Sequence, residues 1–167
     1  MHVSAIIVAG GFSKRLSGTV PKILRLIGER TLLQRSIEPF DRSTRINEII
    51  LVLPSKLVTS PPKFLQTIQT PLQLVPGGKR RQDSVAAGFD LITSGSDIVV
   101  VHDAARPFCT TALISKTIAA AWESGAAIAG LSIHDTVKEG RLEKGLQFVE
   151  STLDRDRIFL AQTPQAF

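Results

Sequence analysis

Residues 3–11 read VSAIIVAGG, and this stretch decides the fold. A run of small and β-branched apolar residues, interrupted only by Ser4, is a strand buried on both faces. It breaks at Gly10-Gly11, so the chain leaves the strand through a turn that exposes its backbone. A strand buried on both faces needs helices on both faces, and the remaining sequence supplies them. Residues 31–40 place Leu32, Leu33, Ser36, Ile37 and Phe40 at helical spacing after the breaker Gly28. Residues 49–53 (IILVL) form a second buried strand, stopped by Pro54. Residues 72–75 form a third, stopped by Pro76-Gly77-Gly78.

Residues 84–92 predict a helix with Val85, Phe89 and Ile92 on its inner face and Asp83 or Ser84 as its N-cap. Residues 98–101 (IVVV) are a fourth strand, 112–122 a helix and 126–131 a fifth strand. Alternation of this kind predicts an α/β fold, a Rossmann-like three-layer sandwich with a mainly parallel sheet. From about residue 132 the pattern changes. Residues 134–138 and 146–150 are extended-looking and flank the polar turn 139–145 (EGRLEKG), which predicts a β-hairpin arm over about 133–157. Residues 158–161 are one more apolar run, followed by Gln162-Thr163-Pro164-Gln165. With no internal repeat and no low-complexity linker, residues 1–167 are expected to form a single domain.

Composition limits the function. Hydrophobic residues make up 43% of the 167 and charged residues 21%, the balance of a folded chain. One cysteine, Cys109, excludes an internal disulfide framework, and it reads as a packed thiol. No segment approaches the roughly 20 apolar residues of a membrane span, so a cytoplasmic protein with no membrane partner is expected. The formal charge is +5, but the cations Lys14, Arg15, Lys22, Lys79, Arg80, Arg81 and Arg106 gather in or beside predicted loops. A single-strand binder would interleave its cations with stacking rings, and this chain has eight Phe, one Trp and no Tyr. A nucleic-acid partner is therefore not expected. A small polyphosphate suits such loops better, and a scattered solvated basic surface is the competing explanation.

Three polar loops should meet at the carboxyl ends of the parallel strands. The first runs from Gly10-Gly11 to Arg15 and on to Pro21-Lys22, the second is Gly77-Gly78-Lys79-Arg80-Arg81, and the third is His102 to Pro107. Glycines let a backbone approach a ligand and aim N–H groups at phosphate oxygens, while Arg15 and Lys22 add charge where a triphosphate would lie. Neither a Walker loop nor a G-x-G-x-x-G fingerprint is present. Asp103, at a strand end, can hold Mg²⁺ near phosphates, cap the next helix or pair with Arg106. His102 reads as an orienting or packing residue.

Five motifs, taken in order, resemble a known family. They are Val8-Ala9-Gly10-Gly11-Phe12-Ser13-Lys14-Arg15 with Pro21-Lys22; Gly77-Gly78-x-x-Arg81-x-x-Ser84-Val85; Val101-His102-Asp103-Ala104-Ala105-Arg106-Pro107; Asp135-Thr136-Val137-Lys138; and Gln162-Thr163-Pro164-Gln165-x-Phe167. Together they are similar to the 2-C-methyl-D-erythritol 4-phosphate cytidylyltransferases, nucleotidyltransferases of the non-mevalonate route to isoprenoids. The first motif departs at Ser13, where the family pattern has glycine. Family members also continue well past Thr-Pro-Gln, so the resemblance implies that a C-terminal tail is missing here.

The resemblance implies that the polyol phosphate attacks the α-phosphorus of CTP and pyrophosphate leaves. It implies Mg²⁺ as cofactor, with Asp103 as its ligand, and catalytic roles for Arg15, Lys22 and Arg155. Ala9, Gly10, Gly11, Gly78, Ser84 and Asp103 are then the CTP-binding set. Asp103, Arg106, Thr136, Arg155 and Thr163 are the substrate-binding set, with Thr136 and Arg155 crossing from the arm of a second copy in a homodimer. The alternatives are a ribitol 5-phosphate cytidylyltransferase on the same scaffold and a nucleotide-binding module with impaired catalysis.

Overall fold

A computed structural model describes residues 1–10 and 20–167. The strand read first is β1 (Val3–Val8), and its neighbours confirm a double-sided burial. β1 pairs in parallel with β4 (Glu48–Leu53), from Ser4 opposite Glu48 to Val8 opposite Val52. Between them come a two-stranded turn of β2 (Leu26–Ile27) and β3 (Arg30–Thr31), then α1 (Leu32–Asp41). Thr31 caps α1: its hydroxyl accepts from the Gln34 N–H, and the Gln34 side chain accepts from the Thr31 N–H. A short helix α2 (Ser55–Thr59) leads to β5 (Leu72–Pro76), which pairs in parallel with β4. Then follow α3 (Arg81–Phe89), β6 (Ile98–Asp103), parallel to the other side of β1, and α4 (Thr111–Ser124).

Alternation along the strands splits the core into two layers. Val3, Ala5 and Ile7 of β1 join Ile49, Leu51 and Leu53 of β4 under α1 and α4, where Leu33, Ile37, Phe40, Ile114 and Ile118 meet them. Ile6, Ile50 and Val52 form the opposite layer with Ile92 packed against it. The helix α3 begins three residues earlier than expected and presents a different face. Its buried residues are Ser84 and Gly88, while Phe89 is 54% exposed. A β-carbon on Gly88 would stand 2.6 Å from Ile6 Cγ2, so only glycine lets the helix lie this close to the sheet. Asp83 is not the cap; it sits in the first turn and accepts from the Arg80 N–H and guanidinium.

Glu48 is a buried acid at the start of β4. Burial alone would push its carboxyl up. Hydrogen bonds from the Ser4 hydroxyl, the Thr93 N–H and the Thr93 hydroxyl outweigh that and hold it below its ordinary 4.5. A depressed folded value adds stability above the unfolded value, and that stability is lost as pH falls through the folded one. Glu48→Gln should therefore lower stability at neutral pH by about 1–3 kcal/mol. Its deficit against the parent chain should shrink as pH drops below 4.5. Denaturant melts at both pH values check this, and a constant deficit contradicts it.

The described residues divide into two compact units, Met1–Ile128 with Thr163–Phe167, and Ala129–Gln162. In the first, the end of β10 (Phe159–Ala166) runs antiparallel to β6, with Gln165 opposite Val101 and Ala166 opposite Val100. The apolar run at 158–161 thus continues as strand through Gln162-Thr163-Pro164-Gln165, with a cis peptide bond between Thr163 and Pro164. The sheet is mixed, mostly parallel and covered by helices, as an α/β fold requires.

The second unit holds the end of β7 (Ala127–Ser132), the start of β10, and the hairpin of β8 (Lys138–Glu143) and β9 (Leu146–Thr152). The hairpin is tighter than the sequence suggests. Its turn is Lys144-Gly145, both at positive φ of 49° and 80°, and residues 139–143 belong to the strand. Leu142, Leu146, Phe148 and Val149 are all exposed. No helix among the described residues is long and apolar enough to cross a membrane.

Candidate active site

The carboxyl ends of β1, β5 and β6 meet at one edge of the first unit. Ala9 continues β1 and donates its N–H to the Val52 carbonyl at 2.8 Å. Gly10 then meets Gly77 backbone to backbone: a β-carbon on either would stand 2.9 Å from the other's Cα. Only two glycines permit this contact. The Ser84 hydroxyl, 1% exposed, accepts from the Gly78 N–H at 3.1 Å and donates to the Arg80 carbonyl. The Gly77 N–H is spent on the Leu53 carbonyl at 2.8 Å. The 77–78 glycines therefore serve close approach, and their amides are engaged within the protein, not held ready as phosphate donors. Gly11 and Arg15 lie outside the described residues. Lys22 opens a short 3-10 turn, Lys22–Leu24, which is anchored by buried Ile23 and leaves the lysine half-buried.

His102 and Asp103 are not loop residues, as the sequence suggested, but the last two of β6. Asp103 Oδ1 accepts from Arg81 Nε at 2.9 Å, and Oδ2 from Arg106 Nε at 3.4 Å. The turn after it is tied to β1 and α1: the Ala104 N–H donates to the Val8 carbonyl at 3.0 Å, and the Ser36 hydroxyl to the Ala104 carbonyl at 2.7 Å. Thr163 is buried, and its hydroxyl oxygen accepts from the Asp103 N–H at 3.2 Å. Asp103, Arg106 and Thr163 are thus brought together. His102 is fully buried, and burial pushes its imidazole down to about 4, so the ring is neutral near pH 7. Cys109 is buried, and burial pushes its thiol up to about 11, which excludes it as an activated nucleophile.

Thr136 and Arg155 belong to the second unit, and both are exposed. Arg155 pairs with neither Asp154 nor Asp156 but donates from Nη1 to the His134 carbonyl at 2.7 Å. That bond places it beside the 134–136 segment.

No group of three or more His, Cys, Asp or Glu able to hold a metal occurs among the described residues. Mg²⁺ does not need one, since it takes one or two carboxylates and completes its shell with substrate phosphates and water. Asp103 is one carboxylate at the right edge. Among the described residues each of its oxygens accepts from one arginine, and a carboxylate oxygen has a lone pair beyond that. The donor set fits an ion held mainly by its substrate.

The sequence placed Arg81 and Gly77 in the second polar loop but named no partner for either. Arg81 spans from α3 to Asp103, and Gly77 is the partner that Gly10 requires. Both were visible as motif members, but the pairings join segments distant in the chain.

A family model described as "IspD: 2-C-methyl-D-erythritol 4-phosphate cytidylyltransferase" matches residues 3–167. A 2-C-methyl-D-erythritol 4-phosphate cytidylyltransferase of Syntrophus aciditrophicus (strain SB) is 41% identical over 172 residues, covering 99% of this chain and 70% of the relative. One from Clostridium botulinum (strain Loch Maree / Type A3) is 39% identical over 166 residues, covering 98% and 71%. The crystal structure of 4-diphosphocytidyl-2C-methyl-D-erythritol synthase from Anaerococcus prevotii DSM 20548 superposes with a TM-score of 0.84 at 30% identity, covering 99% of this chain and 69% of that one.

Proposed function

The chain belongs to the 2-C-methyl-D-erythritol 4-phosphate cytidylyltransferase family and is a nucleotidyltransferase, and from that premise we propose how its residues divide the reaction. CTP and 2-C-methyl-D-erythritol 4-phosphate give 4-diphosphocytidyl-2-C-methyl-D-erythritol and pyrophosphate, a step of the non-mevalonate isoprenoid pathway carried out in the cytoplasm. A phosphate oxygen of the polyol attacks the α-phosphorus of CTP. A new P–O bond forms, the bond from Pα to the bridging oxygen of the β-phosphate breaks, and the electron pair leaves with pyrophosphate.

The nucleophile is a phosphate already largely ionised near neutrality, so no general base is needed. The site agrees with this: His102 is buried and Cys109 is not activated. What remains is positioning and charge stabilisation. Lys22 and Arg15 take the charge that builds on the triphosphate. Ala9, Gly10, Gly11 and Gly78 form the floor for the nucleotide, with Ser84 fixing the Gly78 turn. Asp103 would hold Mg²⁺, which supplies neutralisation of phosphate charge when bound. Arg106 binds the polyol phosphate, and Thr163 holds Asp103 in register.

The observation that carries this reading is the meeting of Gly10 with Gly77 and of Arg81 with Asp103, which gathers three motif-bearing segments at one strand-end edge. The second unit supports the homodimer. Its hairpin has no buried core, and its exposed Leu142, Leu146, Phe148 and Val149 suit a second copy. Thr136 and Arg155 would then reach the partner's polyol. Phosphorus NMR of the chain incubated with CTP, Mg²⁺ and the methylerythritol phosphate should show a diphosphate diester and free pyrophosphate. Turnover of ribitol 5-phosphate in its place, with none of the methylerythritol phosphate, would overturn the substrate assignment.

A further inference from the structure

His102 is the largest polar side chain fully buried beneath this edge. Its ring lies 4.9 Å from the Phe40 ring, at 43°, in surroundings that would suit an apolar residue. A polar group there costs stability unless its hydrogen bonds are made. Both are made, and each goes to a residue the reaction needs. Nε2 lies 3.2 Å from the Arg106 carbonyl oxygen, which can only accept, so Nε2 carries the hydrogen. Nδ1 of the neutral ring is then the acceptor, facing the Thr163 hydroxyl at 2.9 Å. That hydroxyl already accepts from the Asp103 N–H, and its own hydrogen goes to His102.

The bonds form one directed chain: Asp103 N–H to Thr163, Thr163 O–H to His102 Nδ1, His102 Nε2–H to the Arg106 carbonyl. It begins and ends on the two residues that bracket the turn. It also joins β10 to the end of β6 beyond the last paired residues of that ladder, Gln165 and Val101. We propose that His102 is a positioning residue for cytidylyl transfer: its ring clamps the 103–106 turn between Thr163 and the Arg106 carbonyl, so that Asp103 and Arg106 meet the polyol phosphate from fixed places. This role rests on the assignment of the polyol phosphate to that turn.

Three variants separate the two arms. His102→Phe keeps the ring and loses both. His102→Gln can keep a donor toward Arg106, and His102→Asn an acceptor toward Thr163. His102→Phe should raise KM for the polyol phosphate about tenfold, the worth of a hydrogen bond in a binding constant. CTP affinity should change less, and His102→Gln should recover most of the loss. If His102→Phe does not fold, the Gln and Asn pair carries the comparison. Wild-type KM in every folded variant overturns the proposal, as does a loss of polyol and CTP affinity in equal measure with melting temperature. An unaltered chain that transfers nothing contradicts the functional assignment instead. Nitrogen-15 NMR of the unaltered chain then decides the clamp: a hydrogen on Nε2 with Nδ1 bare supports it, and a hydrogen on Nδ1 overturns it.

Discussion

Lys22→Ala should lower turnover by about 10²–10³ while leaving the melting temperature nearly unchanged. The lysine stands on a short turn whose anchor is Ile23, not its own side chain, so the fold loses little without it. The reaction loses more. Charge accumulates on the triphosphate as the bond to the leaving group breaks, and a cation held at that place stabilises the transition state more than the ground state. Arg15→Ala should behave in the same way, because the proposed mechanism gives it the second charge. Turnover and KM for CTP, measured beside thermal melts, check the prediction. Activity that falls only in step with stability would assign both cations to the fold.

An equal mixture of Arg155→Ala and Lys22→Ala chains, each nearly inactive alone, should recover roughly a quarter of wild-type activity in a two-fold dimer. Half the dimers are then mixed, and each mixed dimer contains one site with both lesions and one with neither. The basis is the second unit, where Arg155 and Thr136 are exposed and the hairpin buries no core of its own. A two-stranded hairpin alone is marginal in water, which suits an arm stabilised by a partner. No recovery, with mixed dimers shown to form, would mean that each site is built from one chain.

Much of the fold was legible because β1 and β4 are apolar on both faces and their breakers are glycine and proline. The face of α3 was not legible. Its contact with the sheet uses Ser84 and Gly88, and small residues that permit close packing leave no mark in a hydrophobic pattern. The length of β10 was not legible past the apolar run 158–161, because a proline usually ends a strand, yet Pro164 lies within β10. His102 and Asp103 looked like loop residues for being polar. The structure keeps them in β6, where buried hydrogen bonds compensate the histidine. The Lys144-Gly145 turn lacked the Asn-Gly or Asp-Gly signal that marks the tightest hairpins. At the site, motifs identified the three segments, but no local pattern could show that Gly10 touches Gly77 or that Arg81 reaches Asp103.

CTP should bind and be attacked at the edge formed by residues 9–15, 77–84 and 103–106. A crystal structure of the chain with CTP and Mg²⁺ tests it most directly. The base and ribose should lie against Ala9, Gly10 and Gly78, the triphosphate beside Arg15 and Lys22, and the α-phosphorus should be open toward Asp103 and Arg106. CTP bound on another face of the first unit, with these three segments bare, would contradict it.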